Sequence, residues 1–297
     1  MTTQLRPLRA ATRSSPLAQL QTALVAALVG ALPSGRAVTS VLVDTLGDRT
    51  QTANTPLHRI GGQGVFVKEV QEAVLRGDAD FAVHSAKDLP SRATPGLVIA
   101  AFPLRADPRD GLVGSRLVDL GYRARVATGS VRRRAQLAAL RPDLQFFELR
   151  GNMHTRVEKA AEFDAIVAGV AGLTHLGLEG HFAERLDPAV MLPQVGQGAL
   201  AVECRTDDRA TVELLTLIDD AGVRACVTAE RTFLERLGSG CDLPVGALAV
   251  TVDKGEVQIE GLIAALDGST VVRGVGIDGV ALAESLLDRG GRALLAR

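Results

Sequence analysis

Two spacings of apolar residues alternate along most of the chain. Short runs in which every residue or every second residue is apolar, "VTSVLVDT" (38–45), "ADFAVHS" (79–85) and "RARVATGS" (123–130), predict β-strands, the last running into a turn. Between them, "VFVKEVQEAVLRG" (65–77) carries apolar residues at helical spacing and stops on a glycine, and "VRRRAQLAAL" (131–140) predicts a second helix. "FDAIVAGVAGL" (163–173) predicts a further strand and turn. Strands alternating with helices predict a mostly parallel α/β architecture. The ten residues from Asp80, "DFAVHSAKDL", and the ten from Asp164, "DAIVAGVAGL", carry Asp, Val and Leu at matching places, which predicts two similar halves.

After "VGQGALAVECR" (195–205) the pattern changes. "RACVTAERTFLERLGSG" (224–240) predicts an amphipathic helix ending in glycines. "ALAVTVDKGEVQIEGLIAALDGS" (247–269) predicts an antiparallel meander with turns at "DKGE" and "LDGS", and the tail from Val280 predicts helix. The expected organisation is a first α/β lobe over 1–103 and 200–219, a second over 104–199, and a small α+β domain over 223–297 that carries Cys241.

Composition narrows the classes. A chain of 297 residues, 46% hydrophobic and 23% charged, has room for a substantial core and two or three domains. A net charge of −1 and a pI near 6.5 give no reason to expect nucleic acid or a membrane surface as partner. Aromatics at 3% argue against a base-stacking platform. The first twenty residues lack the apolar core of a signal peptide, and "ALVAALVGAL" (23–32) is too short to span a bilayer. The expected compartment is the cytoplasm, and with no unpaired hydrophobic stripe the expected state is a monomer. Cys204, Cys226 and Cys241 are widely spaced and odd in number, which fits a reducing compartment and excludes a CxxC metal or redox site. Cys204 and Cys226 fall in apolar patterns and read as packing thiols, whereas Cys241 sits in the turn "GSGCDLPVG". Neither a metal nor a nucleotide is expected.

Candidate chemistry gathers where predicted strands end. In "TGSVRRRAQL", Ser130 reads as a helix N-cap with Arg132, Arg133 and Arg134 in the first turn. Cations there oppose the helix dipole, so either an anion compensates them or they form a solvated face. Arg13 in "ATRSSPL" and Arg150 and Arg156 in "ELRGNMHTR" give two more basic helix entrances, at the strand edge where open α/β sheets bind ligands. Only four of the 33 basic residues are lysine. Genomic base composition accounts for much of that bias, yet guanidinium forks suit carboxylates in a bidentate way, so the expected ligand has many carboxylates. "HSAKDLP" sets Ser85, Lys87 and Asp88 directly after a strand; adjacent His84 and Ser85 point to opposite sides, against a Ser/His hydrolase pair. Lys87 beside Asp88 also reads as a surface ion pair. "GGQGVFVKE" (61–69) is glycine-rich ahead of a helix, but lacks P-loop lysine and dinucleotide spacing.

Nine stretches in order along nearly the whole chain, "ATRSSPLAQ", "TPLHRIGGQGVFVKE", "ADFAVHSAKDLP", "ADPRDGLV", "ATGSVRRRAQL", "LRGNMHTR", "VAGLTHLGLE", "LPQVGQGALAVECR" and "GSGCDLPVG", resemble the porphobilinogen deaminase family. The resemblance implies two periplasmic-binding-protein-like lobes around a cleft plus a small α+β third domain. It implies a dipyrromethane cofactor held by a thioether to Cys241, made from the substrate and used as a primer. Four porphobilinogen molecules would then be deaminated and joined head to tail, and the linear tetrapyrrole hydroxymethylbilane released.

By position in the matching motifs, the resemblance makes Asp88 the catalytic carboxylate. It assigns Arg132 and Arg133 to cofactor carboxylates, with Ser85, Lys87, Ser130 and Asp88 beside them. Arg13, Ser15, Arg150, Arg156 and His175 would hold the substrate or growing chain, and Phe66 would stack on a pyrrole. A mobile lid is expected from about Leu46 to Gly64. Three positions depart from the family pattern: His175 replaces a usual arginine in "AGLxRLG", Gln63 a lysine in "GGKG", and Leu46 an arginine in "TRGD". His175 binds a carboxylate only when protonated, and Leu46 not at all. Two rival readings remain at this point: a solute-binding or effector-sensing protein, and a degenerate relative that binds tetrapyrroles without making them.

Overall fold

The computed structural model describes residues 6–47, 64, 66–238 and 243–296. Cys241, Gln63 and most of the expected lid lie outside the described residues. The fold is α/β, and the chain divides into two compact units, Met1–Arg105 with Ala199–Arg224 and Ala106–Gly198 with Ala225–Arg297.

The first unit is built on a mixed sheet of β1 (Leu8–Arg13), β2 (Val38–Val43), β3 (Phe81–Ser85), β4 (Leu97–Ala101) and β10 (Leu200–Arg205), in the order β2-β1-β3-β10-β4. β1 runs parallel to β2 and β3, and β10 antiparallel to β3 and β4. Helices α1 (Pro16–Gly30), α2 (Lys68–Leu75) and α6 (Arg209–Thr216) cover it. One face buries Leu8, Ala10, Phe81 and Val83 with Val25 and Val29 of α1; the other buries Ala11 and Ala82 with Val70, Ala73 and Val74 of α2. Coverage on both faces explains why β3 reads as an unbroken apolar run up to His84. α2 begins three residues later than its apolar spacing predicts. The cause is a turn on Gly64 (φ +85), whose carbonyl accepts from the Val67 and Lys68 N–H groups.

The second unit holds β5 (Asp110–Gly114), β6 (Arg125–Ala127), β7 (Gln145–Phe147), β8 (Ala165–Gly169) and β9 (Phe182–Arg185), in the order β7-β6-β8-β5-β9. β6 is parallel to β7 and β8, and β5 antiparallel to β8 and β9. Helices α3 (Val131–Leu140), α4 (Met153–Glu158) and α5 (Val170–His175) follow β6, β7 and β8. The turn predicted after β8 is in fact α5, a short apolar helix whose composition does not separate it from a strand. The same unit contains the antiparallel sheet β11 (Val245–Thr251), β12 (Val257–Ala264) and β13 (Val271–Gly276). Its core joins Ile259 and Ile263 to Phe233 of α7 (Ala221–Arg236) and to Leu282 and Leu286 of α8 (Gly279–Leu286).

The two five-stranded sheets share strand order and strand direction position by position, with β3 matching β8. The predicted repeat therefore falls on equivalent strands. Even the aspartate that opens it acts alike in both. The Asp80 carboxylate accepts from Arg9 N–H at 2.8 Å while its own N–H donates to Arg9 C=O; Asp164 does the same with Arg125, at 2.6 Å. Among the described residues, no helix is long and apolar enough to cross a membrane.

Candidate active site

Parallel strands end together, so each sheet collects the predicted residues at one edge. In the first unit, β1 ends on Arg13, and Ser15 caps α1 by accepting from Ala18 N–H at 3.4 Å. The Arg13 guanidinium lies 4.2 Å from the centre of the Phe66 ring, a cation–π distance. Position 47 is glycine because Phe66 fills the space a Cβ would need. β3 ends on Ser85, whose hydroxyl donates to Gln21 Oε1 at 3.0 Å, and the next turn, a 3-10 helix over Ala86–Asp88, carries Lys87 and Asp88. Asp88 is half-buried, and its carboxylate accepts no hydrogen bond among the described residues. His84, pointing the other way, is buried against Glu203, as opposite faces of a strand require.

In the second unit, β6 leads into α3, β7 into Arg150 and α4, and β8 into α5. Ser130 is the N-cap of α3, its hydroxyl accepting from Arg133 N–H at 3.4 Å. Arg132 is only 3% exposed; it donates to Leu192 C=O at 2.6 Å and to Asp110 Oδ2 at 2.8 Å. Arg133, also buried, donates to Asp110 Oδ1 at 2.7 Å and to Val167 C=O at 3.1 Å. The anion that compensates these cations is therefore Asp110, and the solvated face applies to Arg134 alone, which is exposed and lies over Phe146. Burial alone would raise the Asp110 carboxyl, but the two arginine charges outweigh it and bring it down to about 2.

One carboxylate faces two guanidinium groups, and Arg132 Nε is buried with no partner among the described residues. The charge balance and the spare donor both fit a ligand carboxylate. Arg156 donates from Nε to Gly151 C=O at 2.8 Å, and Arg150 is half-buried, its guanidinium pKa lowered by burial. His175 ends α5, half-buried, its imidazole lowered by burial and its Nδ1 without a partner among the described residues. Cys204 and Cys226 are both buried, as their apolar patterns predict.

Three participants carry no local signal. Asp110 sits in "ADPRDGLV" as an ordinary strand-start acid. Gln197 in "VGQGAL" donates to Asp110 Oδ1 at 3.0 Å, and Gln136 grips both backbone groups of Leu192, the residue whose carbonyl receives Arg132. Only the matching of whole motifs to a family points toward the first two.

Residues 8–213 match the family model described as porphobilinogen deaminase, dipyromethane cofactor binding domain, and residues 224–288 match porphobilinogen deaminase, C-terminal domain. The chain is 48% identical over 297 residues to the porphobilinogen deaminase of Roseiflexus sp. (strain RS-1), covering 96% of this chain and 97% of that one. It is 43% identical over 297 residues to the porphobilinogen deaminase of Brevibacillus brevis, covering 96% and 95%. Among solved structures, a periplasmic sulfonate-binding protein of Methylobacillus flagellatus is similar at a TM-score of 0.40 and 15% identity, covering 77% of this chain and 68% of that one. With both family models matched and that identity sustained along the chain, this protein belongs to the porphobilinogen deaminase family.

Proposed function

We propose that the chain is a hydroxymethylbilane synthase that deaminates four porphobilinogen molecules and joins them head to tail on a dipyrromethane held through a thioether to Cys241. The observation that carries this reading is the pair of buried guanidinium groups sharing one carboxylate, in a stretch whose family is described by its dipyrromethane cofactor. When bound, the dipyrromethane supplies the free pyrrole α-carbon from which the chain grows. Arg132 and Arg133, with Ser85, Lys87 and Ser130, hold its acetate and propionate groups. Arg13, Ser15, Arg150 and Arg156 hold those of the incoming pyrrole, with His175 contributing when protonated, and Phe66 offers its ring as a stacking face.

Asp88 supplies the charge that the reaction needs. Loss of ammonia leaves the substrate methylene electrophilic and places positive charge on its pyrrole N–H. A carboxylate about 4 Å from that charge, at an effective dielectric near 20, lowers its energy by about 4 kcal/mol. That is on the order of a thousandfold in rate. The reading places the protein in the cytoplasm as a monomer acting on a small molecule, with neither nucleic acid nor membrane as partner.

Intact-mass measurement of the purified protein tests the covalent assignment. The expected result is an excess equal to one dipyrromethane, mapped to the Cys241 peptide and missing from Cys241→Ser. A bare mass that does not change after incubation with porphobilinogen would leave a binding protein. Asp88→Asn is expected to keep that excess and turn over at least about a hundredfold more slowly.

A further inference from the structure

A buried polar chain that the proposed chemistry does not use links α2 to β10. Glu203 on β10 is 3% exposed, and its Oε2 accepts from Gln71 Nε2 at 2.8 Å and lies 3.4 Å from His84 Nε2. Gln71 Oε1 in turn accepts from the Thr94 hydroxyl at 3.1 Å. Gln71 and His84 are buried as well. The pairing of β10 with β4 shifts register between Val202 and Glu203, leaving Ala100 of β4 as the extra residue. A carboxylate buried in a sheet is costly unless its contacts accomplish something.

Its contacts bracket the segment that carries Asp88. His84 stands four positions before Asp88 and Thr94 six positions after it, so one carboxylate reaches both sides of the turn, packing within 3.4 Å of His84 Nε2 without a hydrogen bond and linking through Gln71 to Thr94. Gln71 belongs to α2, whose N-terminal approach carries Phe66, so the same chain spans the stacking ring and the acid. We propose that Glu203 is a positioning residue for the reaction, fixing the segment that carries Asp88 through the hydrogen-bonded Gln71–Thr94 bridge, with His84 packed against it on the other side. This rests on the reading of Asp88 as the group that stabilises the substrate's charge. Displacing a reacting group by about 1 Å costs up to a hundredfold in rate, which makes such a clamp worth a buried acid.

The test compares the cofactor-loaded parent with Thr94→Val, Glu203→Gln, Glu203→Ala and Asp88→Asn. Thr94→Val keeps the side-chain shape at a half-buried site and removes only the outer hydrogen bond. Expected are a drop in kcat of about threefold to tenfold for Thr94→Val and at least about thirtyfold for Glu203→Ala, with KM within about twofold. Glu203→Gln keeps an acceptor for Gln71 and is expected to recover most of the loss. Cofactor loading by intact mass should stay at the parental level, while amide exchange should quicken across 84–94 and around Gln71 of α2. If Glu203→Ala does not fold, Thr94→Val decides the matter. Parental kcat in Thr94→Val beside a crippled Asp88→Asn would overturn the inference, as would a loss expressed in KM or in cofactor loading. Parental turnover in Asp88→Asn would bring down the reading of Asp88 itself, and this inference with it.

Discussion

Asp110→Asn tests whether charge holds the Arg132 and Arg133 pair in place. In the parent, the carboxylate accepts from Arg132 at 2.8 Å and from Arg133 at 2.7 Å, fully buried. Asparagine keeps the shape and one acceptor oxygen, but two guanidinium charges then lack a counter-charge. Removing one partner of a buried ion pair costs about 3–5 kcal/mol. At about 2–4 °C per kcal/mol, Tm should fall by roughly 6–20 °C. The pH dependence follows from the same geometry. Burial alone would raise the Asp110 carboxyl; the two arginines reverse this and bring it from 3.8 to about 2. A depressed carboxyl contributes its stability in full above the unfolded value and loses it as pH falls through the folded one. The window is therefore from about pH 4 down to about pH 2, and a shift of this size corresponds to about 2 kcal/mol. Urea denaturation followed by circular dichroism, near neutrality and again near pH 2.5, reads both quantities. A variant within about 1 kcal/mol of the parent at neutral pH, or a gap that does not narrow in acid, would refute the reasoning.

Three further outcomes are expected. Burial lowers the His175 imidazole below its ordinary 6.5, so it is neutral at pH 8; His175→Arg supplies a permanent cation and should lower KM for porphobilinogen about threefold there. The advantage should shrink as acid protonates His175, and equal KM at pH 8 would remove this position from the carboxylate contacts. Burial pushes the Cys204 thiol up to about 12, and Cys226 is buried too, so iodoacetamide should leave both unlabelled by mass until the protein is denatured. Gly268 has φ +75, and a Cβ there would lie 2.5 Å from Ala139 N and 2.7 Å from Ala135 O. Gly268→Ala should therefore cost about 2–4 kcal/mol in a thermal melt, and a change under about 0.5 kcal/mol would mean that the hairpin tip retreats freely.

What could be read from the chain was local in cause. Ser130 ahead of a helical pattern is a cap because its hydroxyl reaches an N–H three residues on, and the geometry bears this out. The buried thiols followed from the apolar patterns around them. Arg132 and Arg133 could be seen as cations opposing a helix dipole, but not what offsets them, since Asp110 stands 22 and 23 positions away with nothing local to mark it. The clamp around Asp88 was hidden for the same reason, with Gln71 and Glu203 separated by 132 positions. α5 resembles a turn in sequence because "VAGL" carries too few residues to display a period. The family motifs pointed to Asp88, whose half-buried carboxylate has no distinguishing local environment.

The two lobe-like sheets locate where chemistry is encoded in this fold. Strand order, strand direction and the aspartate latch at the head of the third strand are the same in both, so the scaffold by itself distinguishes nothing. The difference begins one residue past that strand. After β3 the chain makes a single 3-10 turn that sets Lys87 and Asp88 at the sheet edge; after β8 it makes α5, apolar until His175. The first β–α connection diverges likewise: Arg13 and Ser15 enter α1 half-buried, whereas Ser130 enters α3 with two arginines drawn inward onto Asp110. One edge therefore presents a half-buried acid, and the other two buried guanidinium groups on a single carboxylate. Under the proposed function, a cationic intermediate carried on a polycarboxylate chain needs both kinds of group, and two sheets of one topology that differ only in their connections carry them without altering either core.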